Sequence, residues 1–142
     1  MLIANEVRKL RVSINRSAAE AYEFLAVPEN FAKWAPGLGK SLRPDGADWI
    51  AETPEGPATV RLSERNSRGV LDHSVTLLDG RAVYVPLRVV AKGDACELVL
   101  TLIRQPEMSD EKYAANAAWV MRGLEAAKRI LEAHGIKAIK SD

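Results

Sequence analysis

His73 is the residue whose type and setting most invite chemistry. It lies in the alternating run Leu71-Asp72-His73-Ser74-Val75-Thr76-Leu77, on the apolar side of the expected strand. An imidazole there serves as a polar anchor or general base, which makes His73 the candidate catalytic residue. The alternative is a core histidine bonded to a backbone group. Asp72 should point the other way, because strand neighbours alternate, and so makes a poor dyad partner. Arg88 stands in an otherwise apolar strand. Facing inward it would grip a carboxylate or phosphate with both arms; outward, the preferred reading, it is a solvated arginine. Trp34, Trp49 and Tyr84 offer large contact areas with polar tips for orienting a ligand. Tyr84 does so only if Val83 and Val85 face out. Cys96 has no histidine nearby in sequence and reads as a small buried core residue.

Other patterns exclude chemistry. Gly37-Leu38-Gly39 lacks the strand-to-helix setting and lysine of a phosphate loop. Glu64 and Glu97 fall on expected solvent faces and form no acid–base pair. Two histidines and one cysteine make a structural zinc site a poor fit and an internal disulfide impossible. No metal or cofactor is called for. Twenty Lys+Arg against nineteen Asp+Glu leave a net charge of +1, without the basic excess of a nucleic-acid binder. No stretch approaches the ~20 apolar residues of a membrane span, and the N-terminus does not read as a signal peptide. The expectation is a cytoplasmic protein without membrane insertion.

The elements that position these residues are legible in outline. The 142 residues, 47% hydrophobic, suit one domain with a real core. Residues 7–15 alternate as a half-buried strand. Ser17-Ala18-Ala19-Glu20 is a capping box opening a helix with Ala21, Tyr22 and Leu25 at helical spacing. Pro28 opens a second short helix, 28–34, which Pro36, Gly37 and Gly39 end. Runs 40–43, 48–53, 58–65, 70–78, 81–91 and 95–104 are separated by turn signals, as in hairpin-linked antiparallel strands. Ser109 then caps a long helix expected to end near Ala133, before Gly135, on the order of 38 Å in length. Residues 136–142 are expected as a loose tail of the single domain, 1–142.

This order is α+β: a curved seven-stranded antiparallel sheet wrapped around a long C-terminal helix, with two short helices after the first strand. The sheet has one apolar face that needs a cover, and the long helix is the element large enough to provide it. Between them lies a standard place for a small molecule. The expected lining is Trp34, Val60, Leu62, His73, Val75, Leu98, Leu100, Val120 and Leu124, with Val85 and Leu87 weaker because their strand parity is ambiguous. On the long helix, Tyr113, Ala117, Val120, Leu124, Ala127 and Leu131 form one stripe, and Trp119, Gly123, Ala126 and Ile130 gather beside it and suggest a partner surface, such as a homodimer face. The alternative is packing on a neighbouring loop or strand edge.

The patterns Ser17-Ala18-Ala19-Glu20 with Tyr22-Glu23-Phe24-Leu25, Pro28-Glu29-Asn30-Phe31 with Trp34, Val83 to Val89, and Arg104 to Asp110 carry a resemblance. Over about residues 7–133 the chain resembles the START-like superfamily, in particular the bacterial polyketide cyclase/dehydrase-like (SRPBCC) proteins. The resemblance implies the helix-grip fold and a hydrophobic ligand cavity. It does not name the ligand, because the superfamily includes lipid carriers, hormone receptors, aromatase/cyclases and hydrolases. Three readings follow. The first is binding of a small hydrophobic or aromatic molecule. The second is an enzyme performing cyclisation, dehydration or hydrolysis with His73 as its acid or base. The third is an interaction module whose cavity is filled by side chains.

Overall fold

The computed structural model describes residues 6–34, 42–53, 56–106 and 108–141. Strand β1 (Val7–Ile14) is followed by helices α1 (Ala18–Leu25) and α2 (Pro28–Trp34). Seven strands come next: β2 (Arg43–Asp45), β3 (Asp48–Thr53), β4 (Gly56–Leu62), β5 (His73–Thr76), β6 (Ala82–Val85), β7 (Leu87–Lys92) and β8 (Ala95–Ile103). Helix α3 (Asp110–Ser141) completes the order. The Pro36 and Gly37-Leu38-Gly39 signals, residues 40 and 41, Pro54-Glu55 and Asp142 lie outside the described residues.

Local chemistry accounts for the helix starts. The Ser17 hydroxyl accepts from Glu20 N–H at 3.1 Å, and the Glu20 carboxylate accepts from that hydroxyl at 3.3 Å. At α3, Ser109 Oγ accepts from Lys112 N–H at 3.1 Å, with Asp110 and Glu111 in the positive first turn. The expected end of α3 needs correction. The helix runs through Gly135 to Ser141 rather than ending near Ala133, because one glycine weakens a helix by about 1 kcal/mol without terminating it.

Eight strands stand where seven runs were expected, and Pro86 is the reason. Hydrogen bonding defines one sheet ordered β1-β8-β7 and another ordered β2-β3-β4-β5-β6, all antiparallel in the described pairings. The run 81–91 is split into β6 and β7 at Pro86, which has no N–H to give to a ladder. The two halves still share one register. His73 pairs with Val85, and the isolated bridge Val70–Arg88 continues the same pairing past the break. Leu71 N–H donates to Leu87 O at 2.7 Å and Val89 N–H to Gly69 O at 2.9 Å. Neighbouring runs therefore follow the order β2-β3-β4-β5-(β6/β7)-β8-β1, one antiparallel layer with a joint at Pro86.

The main core lies between this layer and the helices. Leu10, Ile14, Leu87, Val89, Leu98 and Leu100 from the strands meet Leu25, Trp34, Ala117, Leu124, Ala127 and Leu131 from the helices. The stripe expected on the long helix is buried at Tyr113, Ala117, Leu124, Ala127 and Leu131, with Val120 half-buried. The helix rests chiefly on β1 and α2. A second cluster, Ala51, Ala58, Val60 and Val75, occupies the β3–β5 end of the sheet. Leu42 and Leu62 touch both clusters and join them.

Candidate functional site

Strand pairing builds the site. Because side chains alternate, residues opposite one another share a face. One row runs Trp49–Val60–Val75–Val83 across β3 to β6. The next runs Leu62–His73–Val85. Beyond the Pro86 joint the rows are Leu87–Leu100–Leu10 and Val89–Leu98–Val12 across β7, β8 and β1. These rows make the concave face. Trp34, Val60, His73, Val75, Leu87, Leu98, Leu100 and Leu124 are buried, while Leu62, Val85 and Val120 are half-buried. The parity left open for Val85 and Leu87 is thereby settled inward.

His73 is the lone histidine on these rows and is 5% exposed. Its Nδ1 lies 3.2 Å from Leu71 O. A carbonyl only accepts, so Nδ1 carries the proton. Burial pushes the imidazole pKa down, against the smaller opposing effects of the Leu71 bond and the Asp72 charge. The ring is thus held neutral at pH 7 and bonded to its own strand, as the core-histidine alternative expects.

Asp72 faces the other way and forms a cluster that the sequence reading missed. Only 6% exposed, its carboxylate accepts from four groups. Arg88 donates through Nε to Oδ1 at 2.9 Å and through Nη2 to Oδ2 at 2.8 Å. Tyr84 Oη donates to Oδ2 at 2.5 Å, and Leu87 N–H to Oδ1 at 2.9 Å. The Arg88 guanidinium holds the carboxyl well below the usual carboxylate range; Tyr84 and Leu87 add to this, while burial opposes it. The Asp72 carbonyl also accepts from Ser63 N–H at 3.1 Å and from the Ser63 hydroxyl. The geometry follows from the proline. Asp72 falls opposite Pro86, between Tyr84 and Arg88, which flank the proline on the same outer face. Its carboxylate takes the Leu87 N–H where the ladder is interrupted, while Leu71 O turns to His73. Tyr84 and Arg88 around Pro86 were a readable i, i+4 signal; their partner required the register.

The remaining expected residues fall as follows. Tyr84 lies on the outer face, 51% exposed, and does not line the concave side. Arg88 is outward, as preferred, but pairs with the buried Asp72 rather than being simply solvated. Trp49 is half-buried beside the second cluster. Cys96 is buried, and burial pushes its thiol pKa up, away from the reactive thiolate. Trp119 is exposed, whereas Gly123 is buried and Ala126 and Ile130 pack against the main core. Those four residues do not make one exposed patch, because the sheet-facing side of α3 is broad enough to absorb three of them.

A cavity of about 20 Å³ sits under Leu25, Ala26, Leu62, Ser63 and Leu71. A larger groove of about 530 Å³ lies between α1, the 66–69 turn and the far end of β7. Among the described residues no His/Cys/Asp/Glu cluster is able to hold a metal ion, and no helix is long and apolar enough to cross a membrane.

This layout of curved antiparallel layer, paired short helices and long closing helix is the START-like helix-grip fold. Sequence comparison finds no family model and no curated protein that matches the chain. Solved structures do match. A START superfamily protein from Mycobacterium smegmatis superposes with a TM-score of 0.68 at 12% identity, covering 89% of this chain and 97% of its own. Norcoclaurine synthase from Thalictrum flavum, a point mutant bound to a transition-state analogue, gives 0.68 at 13% identity, covering 95% and 99%. DynU16, a protein of the dynemicin biosynthetic locus, gives 0.68 at 18% identity and covers 90% of this chain. The chain spans about half of DynU16, 48% of its length.

Proposed function

We propose that this protein binds a small, uncharged hydrophobic or aromatic molecule against the concave face, between the sheet and α3. The observation that carries the reading is the row Leu62–His73–Val85 with its neighbours Val60 and Val75: an in-register apolar surface with one neutral polar group at its centre. The long helix covers this layer chiefly at β1, which favours the β4–β6 end as the place for a ligand. Burying about 200 Å² of apolar ligand surface there contributes about 5 kcal/mol before association costs. Because His73 is held neutral, the face does not favour a charged ligand. The norcoclaurine synthase likeness supports a small-molecule site on this fold, since that protein is in complex with a transition-state analogue.

The test is a fluorescence titration with N-phenyl-1-naphthylamine, an uncharged apolar probe. The wild type is expected to give a saturable enhancement. Val75→Trp, which fills the concave face, should weaken it at least tenfold while keeping the far-UV spectrum. Enhancement that fails to saturate, or that is equal in folded Val75→Trp, would sink the reading. Val60→Ala serves as a second variant that enlarges the same space and should retain binding.

A further inference from the structure

The groove between α1 and β7 shares Val89 with the rows of the concave face and lies along them, away from His73. Ala91, at its far edge, lies six residues along the strand from Val85, the cross-strand partner of His73, or about 20 Å. Its two walls differ in chemistry. Ala18, Ala19, Gly69, Val89 and Ala91 supply an apolar floor. Tyr22, Glu23, Asn66, Ser67 and Arg68 supply the polar wall. The acceptors nearby are already engaged. Both oxygens of Glu23 take Arg65 Nη2, at 2.6 and 2.7 Å, and Asn66 Oδ1 takes the backbone N–H groups of Arg68 and Val70. Tyr22 Oη accepts from Asn66 N–H at 2.9 Å, which leaves its own proton to donate. Among the described residues no ion pair engages Arg68. The polar wall thus presents hydroxyl and guanidinium donors and one uncompensated positive charge.

The turn that carries these donors is held in place before any ligand arrives. Asn66 Nδ2 donates to Glu64 O and Val70 O, both at 2.9 Å, so its side chain spans the whole turn. Gly69 has φ +72° and sits so close to β7 that a Cβ would collide with Val89 O. Arg65, stacked over the Tyr22 ring at 5.1 Å, ties the turn to α1.

We infer that this groove is a second binding site, for a small aromatic or aliphatic carboxylate. The apolar body lies on Val89 and Ala91, and the carboxylate faces Arg68, Ser67 and the Tyr22 hydroxyl. A volume of about 530 Å³ is within the range of small-molecule sites. The site stands whether or not the concave face binds a ligand.

The experiment is a ¹H–¹⁵N NMR titration of the full chain with 1-naphthoate, with uncharged 1-naphthamide as control. Saturable shifts are expected at the amides of Ala18, Ala19, Ser67, Arg68, Gly69 and Ala91. Arg68→Gln should weaken binding at least fivefold, and naphthamide should bind at least fivefold more weakly than naphthoate. Arg68 is a surface side chain, so this variant is expected to fold; Ala19→Phe, which narrows the groove from α1, provides a second loss of binding. Absence of shifts up to 10 mM overturns the inference. So do shifts confined to Val60, His73 and Val75, equal binding of acid and amide, or equal binding by wild type and Arg68→Gln.

Discussion

Asp72 and His73 are consecutive, both buried, and they respond to burial in opposite ways. Asp72 keeps its charge, because Arg88, Tyr84 and Leu87 surround the carboxylate with donors. His73 is held neutral, because burial outweighs the charges around it. One residue faces outward and the other toward the concave side. The outer face of this strand thus uses a charge to hold a chain break, while the inner face stays apolar and uncharged. A buried charge is tolerable where its partners are fixed by the same local geometry that creates the need for them. At Pro86 the interrupted ladder leaves Leu87 N–H to be satisfied, and the carboxylate opposite satisfies it.

Substitutions sharpen or break this contrast. The largest effect belongs to the concave side itself. Leu98→Ala, at a fully buried position, should destabilise by about 2–5 kcal/mol in urea unfolding. A loss under 1 kcal/mol would mean that this face is loosely packed. Asp72→Ala should cost about 2–3 kcal/mol, somewhat below a fully buried pair because Arg88 is half-exposed. Against it, His73→Leu should stay within about 1 kcal/mol of wild type at pH 7.5, since lost bonding is offset by apolar burial. Equal losses in the two variants would erase the contrast.

The pH dependence separates the neighbours further. Asp72 has a native pKa below its unfolded value. Its contribution is complete above about pH 4 and is lost as pH falls through the native value. Asp72→Asn should therefore show a flatter acid limb. His73 also has a lowered native pKa, but protonation charges it. The unfolded chain binds that proton first, so stability declines as pH falls below about 6.5. Between pH 6.5 and 5.5, His73→Leu should gain on wild type by up to about 1 kcal/mol. Parallel stability curves would show that His73 does not sense its burial. The smallest effect is Tyr84→Phe, about 1 kcal/mol, because the carboxylate keeps its other donors.

How much of this was readable depended on whether a feature is local. The helix starts at Ser17 and Pro28, the α3 stripe and the inward row Leu71–His73–Val75 follow from spacing alone. The interruption at Pro86 was available in principle, since a proline within an expected interior strand is a warning. Its consequence was not, because Asp72 and Arg88 are sixteen residues apart and meet only through strand register. Tyr84 could be placed only once Val83 and Val85 were known to face inward. Spacing could not decide between a partner surface and the core for Ala126 and Ile130: periodicity locates a stripe but does not tell how wide a face its partner covers. The groove beside α1 required the Asn66 turn to fold back onto β7, a contact no run of residues announces.

The central claim is that a ligand lies at the β4–β6 end of the concave face, and isotope-filtered NOE spectra of bound N-phenyl-1-naphthylamine test it most directly. Cross-peaks from the probe to the methyl groups of Val60, Leu62, Val75 and Val85 are expected. Cross-peaks only to the exposed methyls of Val7, Leu78 and Val90, or only to Val89 and Ala91 in the α1 groove, would contradict it.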